Sequence, residues 1–201
     1  MASKTEIANL AISHLGSGKE ISNLDSDASD EAAACRRYYE LALDSTLRDV
    51  NWPFARRYYD LGVVGSPPND EWDYSYRYPS DCIKIHRIFS GIRVETNDIR
   101  IPYEVGSDTT GLLIYTDEVS ASIEYTLRQT DPQIFPSDFI MALSYKLAMY
   151  IAPRITGGDP YGLGAKAAQM YEVEISKAAK NSFNEQQPDP EPGSELERSR
   201  T

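Results

Sequence analysis

Residues 120–157, SASIEYTLRQTDPQIFPSDFIMALSYKLAMYIAPRITG, constrain this chain more than any other stretch. The segment opens with strict alternation. Val119, Ala121, Ile123, Tyr125 and Leu127 fall on one face, and Ser120, Ser122, Glu124, Thr126 and Arg128 on the other, which predicts a strand. Asp131-Pro132 ends it, because proline has no N–H for the ladder and restricts the residue before it. Pro136-Ser137-Asp138 then opens a helix. Phe139, Ala142, Leu143, Leu147 and Tyr150 recur at helical spacing, and Ile140, Ala148 and Ile151 widen the stripe. A helix apolar over so much of its surface is expected to be the buried spine of a domain, stopped by Pro153 and Gly157-Gly158.

The rest of the chain arranges itself around that unit. Ser3 and Glu6 form a capping box for a short helix carrying Ile7, Leu10, Ala11 and Leu15, which Gly16-Ser17-Gly18 ends. Residues 19–29 are polar and turn-rich, with Ile21 and Leu24 as anchors. A second helix runs from Ser29 or Asp30 to about Val50, with Glu31 favourably placed in its first turn. Its apolar positions, Cys35, Tyr38, Tyr39, Leu41, Ala42 and Leu43, are broad enough to touch two neighbours. Trp52-Pro53-Phe54 makes a bulky corner that serves either core or interface.

Between residues 56 and 128 the period changes to two. Strands are predicted at 57–64, 74–78, 82–89, 92–95, 99–103, 112–116 and 119–127. Turn signals separate them: Ser66-Pro67-Pro68-Asn69-Asp70, Thr96-Asn97-Asp98, Gly106-Ser107-Asp108 and Thr116-Asp117-Glu118. A last helix is expected over 163–184, with Ala167, Ala168, Tyr171, Ile175, Ala178 and Ala179 on one side and Lys166, Gln169, Lys177 and Lys180 facing out. The architecture that follows is α+β. About four helices from both chain ends, residues 1–55 and 130–184, close into a bundle. Residues 56–129 form an inserted antiparallel β-meander, a small sandwich or barrel. Residues 185–201, EQQPDPEPGSELERSRT, are acidic and proline-rich with almost nothing apolar, so they are expected to be disordered in the free protein.

Composition narrows the function classes. A net charge of −11 argues against nucleic-acid binding as the main activity, because such binding needs lysine and arginine to displace counterions. It is compatible with an acidic bore through which DNA passes without adhering. Fourteen tyrosines against five phenylalanines suit interfaces as well as half-exposed sheets. Only Cys35 and Cys82 are present, too few for a disulfide framework or zinc site, and buried free thiols in a reducing compartment are expected. The opening MASKTEIANLAISHLG lacks the apolar core and cleavage site of a signal peptide, and no run is long enough to span a membrane.

Motifs for catalysis are missing from the sequence. His14 and His86 read as structural histidines on a helix and a strand. Gly16-Ser17-Gly18-Lys19 has neither the glycine spacing nor the hydroxyl of a phosphate loop. The acidic clusters Asp25/Asp27/Asp30/Glu31 and Asp70/Glu71/Asp73 lack EF-hand spacing and read as solvated loops. No cofactor or metal is expected. Arg36-Arg37 and Arg56-Arg57 flank the second helix and its corner. They fit bridges to acidic residues of a neighbouring copy equally as well as ordinary wet faces.

Three stretches in this order resemble the bacteriophage head-to-tail adaptor family, also called tail tubular protein A or tail accessory factors. They are DEAAACRRYYELALDSTLRDVNWPFARR, YRYPSDCIKIHRIF and YTLRQTDPQIFPSDFIMALSYKLAMYIAPRITG. With the segments between them they cover roughly residues 1–183. The resemblance implies a non-enzymatic virion protein, a helical bundle bearing a β-domain, located at the head-tail junction and in the host cytoplasm during assembly. It implies a dodecameric ring of this chain beneath the portal protein, which extends the DNA channel and docks a tail nozzle or tube protein, with genomic DNA passing through unbound and no membrane partner. Under that implication Phe183, Leu196, Arg198 and Arg200 are candidates for gripping the portal, and Arg36, Arg37, Arg56 and Arg57 for contacts between subunits. A tail terminator or stopper ring and a virion-associated cell-wall hydrolase are the alternatives.

Overall fold

The computed structural model describes residues 2–65, 67, 71–91 and 100–184. Four helices and six strands follow one another as α1 (Lys4–His14), α2 (Asp30–Asp49), β1 (Arg56–Asp60), β2 (Tyr74–Arg77), β3 (Cys82–Ile88), β4 (Glu104–Asp108), β5 (Gly111–Thr116), β6 (Ser122–Leu127), α3 (Ser137–Ile155) and α4 (Leu163–Asn184). The fold is α+β.

Helix boundaries follow local chemistry. The Ser3 side chain accepts from the Glu6 N–H while the Glu6 carboxylate accepts from the Ser3 N–H, closing the capping box. Ser29 caps α2 through the Ala32 N–H. α3 is the spine. Phe139, Ala142, Leu143, Ser144, Leu147, Ala148, Ile151 and Ala152 are buried on it, and it contacts each of the other three helices. Pro153, expected to stop α3, lies inside it, and the helix continues to Ile155. A proline removes one donor two residues before the end, where the last turn is held instead by the Thr156 N–H to Ala152 O bond. Gly157, at φ +68°, then reverses the chain. Asp159 starts α4 by accepting from the N–H groups of Leu163 and Gly164 at 2.7 and 2.9 Å. Gly164 leaves room where α4 crosses α3, since a Cβ there would sit 2.9 Å from the Asp159 Oδ2 and 3.0 Å from the Ala152 Cβ.

The six strands form two antiparallel three-stranded sheets, ordered β1-β6-β3 and β2-β5-β4. Strand order is interleaved between the sheets rather than sequential as in a simple meander, and among the described residues only β4-β5 pairs as a hairpin of neighbours. Both sheets contribute to one hydrophobic cluster, with Ile85, Ile88, Ile123 and Tyr125 from the first and Tyr76 and Ile114 from the second. The helical core is a separate cluster built from residues between Ile7 and Ala55 and between Phe135 and Ala178.

The expected strand at 99–103 is replaced. Residues 100–103 have no regular structure, and β4 runs over 104–108, through the Gly106-Ser107-Asp108 signal expected to turn. Gly106 serves a different need, because the Tyr115 ring lies where its Cβ would be. The turn comes after it, where the Asp108 carboxylate accepts from the N–H groups of Thr110 and Gly111. The first strand ends at Asp60 rather than Val64, although Val63 makes an isolated bridge to Tyr76. The predicted strand 92–95, its Thr96-Asn97-Asp98 turn and residues 185–201 lie outside the described residues.

The alternation in β6 is real, yet both faces are covered. Ala121, Ile123 and Tyr125 fill the sheet core as expected, while Glu124 and Thr126 on the opposite face are buried as well, and Val119 is exposed. Both cysteines are free. Burial pushes the Cys35 thiol up to about 12 and the Cys82 thiol up to about 11. Alkylation of the native protein by iodoacetamide at neutral pH is therefore expected to be slow at both, and fast at both in urea, as followed by intact mass. Rapid native modification of Cys35 would contradict its burial.

Candidate functional site

Where α2 leads into β1 and the chain returns from β6 to α3, four aromatic residues pack together. After α2, Trp52 is fully buried and donates from Nε1 to the Thr46 carbonyl at 2.9 Å. Its ring meets Phe139 of α3 edge-on at 4.8 Å, and Phe54 meets Phe139 at 4.9 Å. Phe135, from the turn before α3, completes the cluster 4.7 Å from Phe139. The Trp52-Pro53-Phe54 corner is thus core, with Phe54 partly exposed at its edge.

One arginine spans the same junction. Arg128, just past β6, donates from Nε to Asp44 at 2.6 Å and from Nη2 to Glu40 at 2.8 Å, both on α2. Its own N–H bonds to the Asp81 carbonyl at the start of β3. Lys4 of α1 reaches the same Glu40 at 3.2 Å. These groups are about a third to a half exposed, so each pair contributes about 0–1 kcal/mol. Their effect is to fix how β6 leaves the bundle.

On the outer face of the first sheet, Glu124 is the buried charge. Its carboxylate lies 3.2 Å from Arg56 Nε on β1 and 2.7 Å from Arg87 Nε on β3. His86 shares a hydrogen bond with Thr126 Oγ1 at 2.8 Å on this sheet. Sequence alternation assigned Glu124 only to the face opposite Ile123 and Tyr125. Only the cross-strand register, Arg87↔Glu124 with Arg56↔Thr126 beside it, brings two arginines onto it.

His14, the other histidine, bonds Ser144 Oγ at 2.9 Å and stacks on Tyr145 at 3.8 Å. Burial lowers the pKa of both histidines below 6.5. A group whose folded pKa lies below its unfolded value binds fewer protons when folded. Its stabilising effect is complete above the unfolded pKa and is lost as pH falls through about 6.5. Urea midpoints are expected to fall between about pH 7.5 and 5.5, and the double variant His14→Gln, His86→Gln is expected to flatten that slope. Asp27 does not contribute in this window. The N–H and hydroxyl groups of Ser29 and Ser22 hold it at about 2.

The arginine candidates separate. Arg36 donates from Nη1 to the carbonyls of Leu24 and Asp27, at 2.6 and 2.7 Å, and so pins the loop before α2. Arg56 is occupied by Glu124 and Asn51, and Arg57 lies 3.5 Å from Asp81. Arg37 is exposed on α2, with no hydrogen bond or ion pair among the described residues. Leu41, one turn on, is also exposed. Phe183 falls in the last turn of α4. Its side chain, and the whole of Leu196, Arg198 and Arg200, lie outside what is described.

Lys19 of the glycine-rich loop pairs with Glu31 at 2.6 Å, and Asp27 is spent on Ser22 and Ser29. Among the described residues no group of three or more histidine, cysteine or carboxylate side chains is placed to hold a metal ion, and no helix is long and apolar enough to cross a membrane. Compared with protein-family models and with curated proteins, the chain matches none.

Proposed function

We propose that this chain is a structural protein of a phage particle, a head-to-tail adaptor that closes into a ring on the portal, extends the DNA channel and docks the tail nozzle or tube. The observation that supports this reading most is the convergence of the three adaptor-like stretches on one junction. The first supplies α2 and the Trp52-Pro53-Phe54 corner, the second supplies β3, and the third supplies the end of β6 from Tyr125, Arg128, Phe135 and Phe139. In the folded chain the first and third share an aromatic cluster, and β3 pairs with β6.

A ring protein that holds a pressurised channel has to keep its parts in one orientation, and such a junction does that without any catalytic group. Ring contacts are heterologous, one face of the chain against a different face of the next copy. The outer side of α2, with Arg37 and Leu41 exposed, supplies one of them. The acidic balance of −11 keeps the bore from retaining DNA. Residues 185–201, with Leu196, Arg198 and Arg200, grip the portal together with the end of α4 near Phe183, ordering as they bind.

Particle mass tests the reading. The purified protein is to be weighed alone and mixed with its cognate portal protein. A species that grows to a saturating ring on the portal is expected. A chain that ignores the portal in this assay overturns the proposal. Removing residues 185–201 is expected to abolish portal binding while leaving the fold intact, and unchanged binding would remove the tail from the mechanism.

A further inference from the structure

Leu10 belongs by spacing to the apolar stripe of α1 with Ile7, Ala11 and Leu15. Those three are buried, whereas Leu10 is 36% exposed. With Ile140, from the first turn of α3, it supplies the apolar surface of an open groove of about 620 Å³. Glu6 and Glu20 line the same groove, and no lysine or arginine does. Glu6 accepts from the Ser3 N–H, while Glu20 has no hydrogen bond or ion pair among the described residues. The nearby cations are committed elsewhere, Lys19 to Glu31 and Lys4 to Glu40. The groove therefore offers an apolar surface beside unmatched negative charge.

The other end of α3 carries the complementary shape. The turn into α4 is fixed from within, by the Gly158 N–H on the Pro153 carbonyl at 2.7 Å and the Gly162 N–H on the Asp159 carbonyl at 3.1 Å. Asp159 stands at φ +58°, a left-handed value uncommon outside glycine. Its carboxylate holds it there through the two N–H groups at the start of α4. Beside it Tyr161 is 83% exposed, more than any other large apolar side chain described. Arg154 at this end is paired with Asp30. Lys166, in the first turn of α4, is exposed and has no ion pair among the described residues. A fixed loop that holds a tyrosine in solvent has little freedom to lose on binding, and tyrosine joins an apolar body to a polar tip.

We infer that the Tyr161 loop of one copy of this chain seats in the α1/α3 groove of the next. The ring lies on Leu10 and Ile140, the phenol hydroxyl donates to Glu20, and Lys166 faces the two carboxylates. Ile140 and the end of α3 at Ile155 are about 22 Å apart along the helix axis, so no molecule fills its own groove. Knob and groove lie on one chain and match in polarity and charge, which makes a second copy the occupant. Because the two surfaces differ, the contact is heterologous, and any open series of copies keeps a free knob at one end and a free groove at the other. Closure of that series into a ring rests on the adaptor reading; the pairwise contact does not.

Cysteine pairs test the contact in the full chain at millimolar concentration, using a short bismaleimide to which the buried native thiols are slow to react. Ser13→Cys lies in the groove and Ala165→Cys on the exposed first turn of α4, and neither removes a side chain of the contact. A mixture of the two single variants is expected to cross-link to dimers only, and the double variant to a ladder. Adding Tyr161→Ala is expected to cut the ladder about tenfold, and Tyr161→Phe to keep most of it. Glu20→Lys is expected to abolish the ladder and Glu20→Lys with Lys166→Glu to restore it, a rescue that lost folding would not give. Melting temperatures are checked throughout. No cross-link in the mixture, dimers from one single variant alone, or a ladder indifferent to Tyr161→Ala overturns the inference. So does shielding of the Ser13→Cys thiol in dilute solution that ends when residues 185–201 are removed, since the tail is then the occupant. Rings on the portal without these cross-links overturn the contact and leave the adaptor reading, and cross-links in a chain that ignores the portal do the reverse.

Discussion

Replacing Trp52 with alanine is expected to destabilise the protein by about 3–5 kcal/mol, the largest effect of any single truncation at the junction. Trp52 has no exposed surface and touches both Phe54 and Phe139. Its removal leaves a hollow between α2 and α3 that the surrounding helices cannot close. It also leaves the Thr46 carbonyl without the indole N–H, a loss of about 1 kcal/mol or more in a buried place. Trp52→Phe should recover much of the packing but not the hydrogen bond. Urea unfolding followed by circular dichroism checks both, and a Trp52→Ala midpoint within error of the native value would show that the junction does not carry the fold. Under the adaptor reading this variant should also lose ring formation, because the packing of α2 on α3 would no longer be fixed.

Glu124→Ala is the second. The carboxylate sits between Arg56 and Arg87 with 7% of its side chain exposed. Deleting it leaves two guanidinium groups close together on a covered sheet face without their shared counter-charge, and breaking a buried pair in this way costs about 3–5 kcal/mol. Arg56 already has one buried Nη2 without a hydrogen-bond partner, so it has little to fall back on. Glu124→Gln keeps the shape and a carbonyl acceptor but removes the charge, and should cost roughly half as much. Pairing the loss with Arg56→Met in a double-variant cycle separates repulsion from lost contacts. If Glu124→Ala proves neutral, the network is surface decoration and the outer sheet face is more solvated than its burial indicates.

The two variants also mark how far the sequence could be read. Trp52 was visible as a bulky corner, and its neighbours Phe135 and Phe139 stood in an obviously apolar unit. What put them together was the return of the chain after some eighty residues, which no local pattern encodes. Glu124 was given its correct face but not its partners. Period-two alternation assigns a face but says nothing of what covers it, and here β1 and β3 bring arginines to the face opposite the apolar one.

Local signals held wherever the deciding chemistry was local. The capping box at Ser3 and Glu6, the Ser29 cap, the apolar stripe of α3 and the span of α4 all depend on residues within a turn or two of one another, so the sequence alone determined them, and with them the α+β class. Turn positions were less secure. Gly106 looked like a turn residue and is instead a cleared space for Tyr115, because the same lack of a side chain serves either purpose and only the neighbouring strand decides which. Tertiary structure alone decided the interleaving of strands between two sheets, the half-buried setting that lowers the pKa of both histidines, and the commitment of Arg36 and Arg56 to the chain's own carbonyls and carboxylates. Each of these depends on which distant segment arrives beside a residue, and that is settled by how the two cores are filled rather than by any spacing along the chain.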